Sequence, residues 1–81
     1  MKVRVKLFAV AKHAAGAEAI ELEVPADAVV ADVRTALLAA VPALAPAARH
    51  LLFAVDAEYA RDLTPVAATQ EIACIPPVSG G

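Results

Sequence analysis

The residues with the clearest capacity for chemistry lie at the end of the sequence, which reads Pro-Pro-Val-Ser-Gly-Gly over residues 76–81. Gly80 and Gly81 carry no side chain, so a chain that stops there can enter a narrow channel, and its α-carboxylate becomes a candidate reactive group. Pro76 and Pro77 each fix φ and lack an N–H, which favours an extended, rigid spacer. At about 3.3 Å per residue, this tail would reach roughly 20 Å from the last strand. The alternative is an ordinary frayed chain end.

The other candidate groups do not form a catalytic constellation. His13 and His50 have no Cys, Asp or Glu at ligand spacing, so we expect no metal site. No glycine-rich loop opens a helix to hold a phosphate group. Cys74 alternates with Ile72, which predicts an inert side chain in the core, with a reactive thiol as the alternative.

Length and charge limit the possible functions. A chain of 81 residues forms one small domain without a deep cavity, so an enzyme pocket would need a partner chain to close it, and the lone chain is not expected to be catalytic. The net charge of −2 and the lack of a long basic block argue against nucleic acid. The longest uncharged internal run, residues 35–48, contains two prolines and is shorter than the roughly 20 residues of a membrane span. No apolar signal segment is found, and the single cysteine fits a reducing compartment, so we expect a cytoplasmic protein.

The first half of the chain predicts a hairpin followed by a helix. Apolar and charged residues alternate over residues 2–7 and 20–24, which indicates two strands whose basic and acidic side chains face each other. Residues 9–17 are interpreted as a helical turn or loop. Apolar spacings of three and four predict the main helix from residue 30 to its end at Pro42. Its start is expected to be poorly capped, because Val29 stands at the N-cap position.

The second half predicts strands at residues 51–55, 58–60 and 71–75, joined by a turn and a loop, with an Ala- and Pro-rich connector before them. The whole order indicates an α+β roll, in which one main helix lies across one face of a mixed sheet of four to five strands. We therefore expect one domain over residues 1–75, followed by a flexible Gly-Gly tail at 76–81.

Three segments resemble a known family. Residues 71–81 (EIACIPPVSGG), 5–9 (VKLFA) and 53–55 (FAV), the last followed by an acidic turn, resemble the small, sulfur-carrying subunit of molybdopterin synthase, a ubiquitin-like sulfur carrier. The resemblance covers essentially the whole chain, and the Pro-Pro-Val-Ser-Gly-Gly ending is its most specific part. It implies a β-grasp (ubiquitin-like) fold. Two turns depart from the family pattern, with Asp56-Ala57 in place of the usual Asn-Gly and Thr69-Gln70 in place of Gly-Asp.

The resemblance also implies a role in molybdenum cofactor biosynthesis. An activating enzyme would use ATP to convert the Gly81 carboxylate into an acyl-adenylate, and a sulfur donor system would then convert it into a thiocarboxylate. The molybdopterin synthase large subunit, in a heterotetramer with this chain, would receive Gly80 and Gly81 in its active site. The sulfur would pass to a cyclic pyranopterin precursor to form the dithiolene, and the chain itself would bind no cofactor.

Phe8 breaks the alternation of the first strand and falls on its exposed side, although it could merely cover a sheet edge. Ala73 and Ile75 lie on the face opposite Ile72 and Cys74. Because the first and last strands of a β-grasp sheet run parallel side by side, we expect Phe8, Ala73 and Ile75 to form an apolar patch that seats the large subunit. The rest of the predicted partner-binding segment is a rigid spacer, Pro76 and Pro77, and a channel-filling link, Val78 and Ser79.

Two other functions stay open. One is a sulfur carrier for another pathway, such as the thiazole of thiamin or an amino-acid or tRNA thiolation route, although such relatives generally lack the Pro-Pro-Val-Ser spacer. The other is a ubiquitin-like protein modifier that is joined through Gly81 to lysines of its targets.

Overall fold

A computed structural model describes residues 1–77 of the chain. Two α-helices, one 3-10 helix and five strands are found in this part. In chain order they are β1 (Lys2–Leu7), α1 (Ala9–Ala15), β2 (Ala19–Glu23), α2 (Val30–Ala40), the 3-10 helix (Pro42–His50), β3 (Leu52–Val55), β4 (Glu58–Ala60) and β5 (Ile72–Ile75). None of the helices in residues 1–77 is long and apolar enough to cross a membrane.

The five strands form one mixed sheet in the order β2-β1-β5-β3-β4. β1 and β5 are parallel neighbours, with Val5 opposite Ile72 and Leu7 opposite Cys74, whereas the other three pairings are antiparallel. Hairpin turns join antiparallel strands, but two parallel strands need a long crossover between them. Here the crossover contains α2, which lies across one face of the sheet. The predicted α+β roll is confirmed.

The core lies between α2 and one face of the sheet. Every second residue of β1 and β5 is buried on this face, as the alternating pattern of the sequence predicted. Val30, Val33 and Leu37 of α2 are also fully buried, at the helical spacings that predicted this helix. The opposite side of β1 carries the exposed side chains of its three basic residues, so the second face of the sheet is open at this strand.

Of the helical turn or loop predicted at residues 9–17, the helical alternative is confirmed, and it extends to the seven residues of α1. This helix ends at Ala15 and is capped by Gly16, whose φ of 69° is left-handed and whose N–H donates to the Lys12 carbonyl at 2.9 Å. Only Ala11 of α1 is buried, so the sequence has no apolar stripe that would predict a full helix here. The connector after α2 is likewise a 3-10 helix, which begins at Pro42 and buries Leu44.

The start of α2 is better capped than Val29 suggests. The Asp32 carboxylate accepts a hydrogen bond from the Val29 N–H at 2.9 Å, and its negative charge suits the positive end of the helix dipole. The N–H groups of the first two helical residues donate to backbone carbonyls of Thr64 and Asp62, both at 3.0 Å. The loop that contains Asp62 and Thr64 therefore accepts hydrogen bonds from helix N–H groups that have no partner within the helix.

The β3–β4 turn forms without glycine. Asp56 and Ala57 both have left-handed backbones, with φ of 52° and 68°, as a two-residue type I′ turn requires. The Asp56 carboxylate accepts hydrogen bonds from the Glu71 N–H at 3.0 Å and from the Gln70 side-chain amide at 3.2 Å. The two departures from the family pattern therefore contact each other, and Asp56 ties the turn to the start of β5.

Candidate functional site

The sheet brings the predicted docking residues together at one edge. Because β1 and β5 are parallel neighbours, both end on the same side, and the Phe8 N–H donates to the Cys74 carbonyl at 3.3 Å. This places Phe8 next to Ile75. The Phe8 side chain is 47% exposed, and Ala73 and Ile75 are half-buried. The three residues therefore lie near one another where the chain leaves β5.

The backbone below the Phe8 ring is held in place on both sides. Its N–H is bonded to β5, and its carbonyl accepts hydrogen bonds from the N–H groups of Ala11 at 3.1 Å and Lys12 at 3.4 Å. Ala9 has a φ of 50°, a left-handed value that is uncommon for alanine and that turns the chain from β1 into α1. An exposed aromatic ring on a fixed backbone loses little conformational entropy when a partner covers it.

The apolar surface extends beyond the residues that the sequence predicted. Leu52 of β3 lies opposite Ile75, and Ala54 lies opposite Ala73 on one side and Tyr59 on the other. Leu52 is 50% exposed and Tyr59 is 71% exposed. We call the residues of this surface the outer patch: Phe8, Leu52, Tyr59, Ala73 and Ile75, with Ala54 buried between Tyr59 and Ala73.

The outer patch borders a charged region on β1 and β2. Lys6 lies opposite Ala73, and its ammonium contacts the Glu71 carboxylate at 3.2 Å. Arg4 and Lys2 lie opposite Glu21 and Glu23, as the predicted hairpin requires. The outer face of the sheet is thus apolar over β5, β3 and β4 and charged over β1 and β2.

The segment that leads to the tail begins inside the fold. Pro76 is buried and Pro77 is exposed, so the first proline packs against the domain and the second faces solvent. The predicted site residues Val78, Ser79, Gly80 and Gly81 lie outside the described residues 1–77.

Cys74 belongs to the core, as the sequence predicted. Its side chain is fully buried, and burial raises the pKa of its thiol from 9.0 to about 11, although the charge of Arg34 partly opposes the rise. A neutral, inaccessible thiol is a poor nucleophile. His13 and His50 are exposed, and among residues 1–77 no three His, Cys, Asp or Glu side chains are grouped to hold a metal ion.

These features define a class of protein. A mixed sheet with its first and last strands parallel at the centre and a helix across one face is the ubiquitin-like β-grasp fold, and solved structures with this fold superpose on the chain. The ThiS family model matches residues 5–81, so the chain belongs to the ThiS family. It therefore has the ubiquitin-like fold of the sulfur carriers, as the resemblance in its sequence implied.

Three solved structures show how far the likeness goes. SAMP1, a small archaeal modifier protein of Haloferax volcanii, is 34% identical, with 100% of both chains covered and a TM-score of 0.84. A putative molybdopterin converting factor subunit 1 of Pyrococcus furiosus is 23% identical, with 96% of this chain and 99% of that chain covered and a TM-score of 0.83. A complex of molybdopterin-converting factor subunits 1 and 2 of Helicobacter pylori contains a chain that is 24% identical, with 100% of both chains covered and a TM-score of 0.68. At these lower identities the second and third structures show the fold alone.

Proposed function

We propose that this chain is the sulfur-carrying small subunit of molybdopterin synthase. The observation that carries the proposal is that the apolar outer patch and the start of the C-terminal segment lie together at the ends of β1 and β5. The outer patch offers an apolar surface for a partner, and the Pro-Pro-Val-Ser-Gly-Gly segment begins beside it at the half-buried Ile75. A carrier needs both, because it must seat on its partner and deliver the end of its chain into that partner's active site.

The proposed chemistry takes place at the Gly81 carboxylate. A carboxylate is a poor electrophile, so the activating enzyme joins a carboxylate oxygen to the α-phosphate of ATP and releases pyrophosphate. Sulfide sulfur from the donor system then attacks the acyl carbon and displaces AMP, which leaves a thiocarboxylate. In the large subunit the thiocarboxylate sulfur forms a bond to a carbon of the pyranopterin precursor and displaces an oxygen substituent from that carbon. Water then hydrolyses the acyl–sulfur bond, which leaves the sulfur on the precursor as a thiol and restores the carboxylate. Each dithiolene contains two sulfurs, so two charged carriers, or one that is reloaded, are needed.

The role of the domain in this chemistry is to position the Gly81 thiocarboxylate in the partner's active site. When the outer patch docks on the large subunit, the thiocarboxylate is held in the acceptor's pocket, and sulfur transfer becomes effectively unimolecular. The slender Gly80 and Gly81 let the tail fill the channel, and a filled channel keeps bulk water from the acyl intermediate. The lone chain has no catalytic role in this proposal, and it assembles with the large subunit as a heterotetramer.

The decisive experiment is reconstitution. The intact mass of the purified chain, after incubation with the activating enzyme, ATP and a sulfur donor, should rise by the difference between one sulfur and one oxygen. The charged chain and the large subunit should then convert the pyranopterin precursor to molybdopterin. A matched variant with one alanine added after Gly81 should fold with the same thermal midpoint but should neither gain sulfur nor support conversion. Conversion by this extended variant, or none by the charged parent chain, would contradict the proposal.

A protein modifier is the second candidate, because SAMP1 of Haloferax volcanii is 34% identical over the full length of both chains. In that case the activated Gly81 acyl group would form an isopeptide bond with a lysine of a target protein. Tryptic digests of cells would then contain lysines that carry a C-terminal remnant of this chain, and the extended variant would remove them. A carrier for a different thiolation pathway would instead accept sulfur but fail to convert the pyranopterin precursor.

A further inference from the structure

A groove of about 430 Å³ lies between the end of β1, α1 and the start of β2. Three basic side chains line it, those of Arg4, Lys6 and Lys12, and Glu18 is its one acidic residue. Phe8 lines the same groove and belongs to the outer patch. A protein that covers Phe8 therefore lies next to the groove.

The basic side chains of the groove are held loosely. The Lys12 ammonium contacts the Glu18 carboxylate at 3.2 Å, and these side chains are 51% and 84% exposed. The Lys6 ammonium contacts Glu71 in the same way, at 3.2 Å. Arg4 has no ion-pair partner within 4.0 Å among the residues that the structure describes. Exposed pairs of this kind contribute little to stability and can be exchanged for an external carboxylate.

Lys12 lies beside Phe8 of the docking surface, and its ion-pair partner Glu18 lines the same groove. The Lys12 backbone N–H donates to the Phe8 carbonyl at 3.4 Å, so Lys12 and Phe8 are one helical turn apart. Lysine and arginine side chains only donate hydrogen bonds, so the groove offers more donors than Glu18 can accept. Glu18 itself, and Glu21 and Glu71 nearby, repel an extended polyanion such as nucleic acid. A single carboxylate fits this balance of charges.

We propose that the groove binds an acidic side chain of the protein that docks on the outer patch, with Lys12 as its anchor and Glu18 as an internal competitor. This inference rests on the proposed function, which makes that protein the molybdopterin synthase large subunit. In the free chain the Glu18 carboxylate forms an ion pair with the Lys12 ammonium. In the complex the partner's carboxylate replaces Glu18, and the surrounding contact excludes water and strengthens the new pair.

The test measures the affinity of single variants for the large subunit of the same organism by isothermal titration calorimetry. Lys12→Gln should weaken binding by at least about fivefold, since it removes one partner of a covered charge pair. Lys2→Gln makes the same change in net charge at the far end of β1 and should leave affinity within about 1.5-fold. Equal effects of the two variants would overturn the role of Lys12.

The competitor role makes an opposite prediction for Glu18. Glu18→Gln frees Lys12 and should strengthen binding by about two- to fivefold, the size of an exposed ion pair. Asp27→Asn changes the net charge equally, in the turn after β2, and should have no such effect. When Lys12→Gln is already present, Glu18→Gln should give no gain, because nothing is left to free. A gain that persists without Lys12 would overturn the competition.

The outcomes separate this inference from the proposed function. If the unchanged chain binds the large subunit and Lys12→Gln binds as tightly, the groove has no role and the proposed function stands. If the unchanged chain does not bind, the proposed function fails, and the groove loses the partner named for it.

Discussion

The exposed ring of Phe8 gives the docking surface a measurable strength. A phenylalanine side chain has roughly 200 Å² of accessible surface, and the 47% that Phe8 exposes corresponds to about 90 Å². At about 25 cal/mol per Å², covering this area is worth about 2 kcal/mol, or roughly a 30-fold change in dissociation constant. Phe8→Ala should therefore weaken binding to the large subunit by that factor.

Titration calorimetry at 25 °C measures this loss. Because the rest of the ring is packed against the fold, circular dichroism must first show that the variant is still folded at the temperature of the assay. Leu63→Ala is the matched control, since Leu63 is 82% exposed and lies on the loop beside the start of α2, and it is not a residue of the outer patch. Equal affinities of the parent chain and Phe8→Ala, or equal losses in both variants, would refute the docking role of Phe8.

Two further predictions concern the domain itself. Ala57→Gly should stabilise the domain by about 1 kcal/mol, because the φ of 68° strains alanine but not glycine. The control Ala39→Gly, in α2, should destabilise the domain by a similar amount. Thermal unfolding measures both effects, and a lower midpoint for Ala57→Gly than for the parent chain would contradict the strain at Ala57. Cys74 has a higher pKa folded, about 11, than its ordinary 9.0, so above pH 9 ionisation favours the unfolded chain. Stability should fall by roughly 3 kcal/mol as the pH rises through 11, and urea titrations of Cys74→Ala should lack this component.

The sequence was sufficient for the parts of the fold in which one face is buried and the other is wet. Alternation over β1 and β2 and the helical spacing of Val30, Val33 and Leu37 follow directly from that contrast. The tail chemistry stays a prediction, which depends on residue type and order rather than on packing. Phe8, Ala73 and Ile75 could be placed together once β1 and β5 were taken as parallel neighbours.

The rest depended on contacts between distant segments. α1 buries only Ala11 and so leaves no periodic trace in the sequence. Residues 52–55 are uniformly apolar, so their order alone does not show that Leu52 faces the outer patch. The Asp56 carboxylate accepts hydrogen bonds from Gln70 and Glu71, which are 14 and 15 residues away, and these contacts join two turns that both lack the glycine of the family pattern.

Because Pro76 is buried in the domain, it is a fixed point from which the reach of the following residues can be measured. Pro77 is exposed, and five residues run from Pro77 to Gly81. Fully extended, they span about 17 Å. Under the proposed function, a partner that seats on the outer patch must therefore hold its sulfur acceptor within about 17 Å of Pro76. Inserting residues between Pro77 and Val78 would lengthen the segment that reaches Gly81 while Pro76 stays in place. The number of inserted residues that still supports sulfur transfer would then measure the depth of the partner's channel.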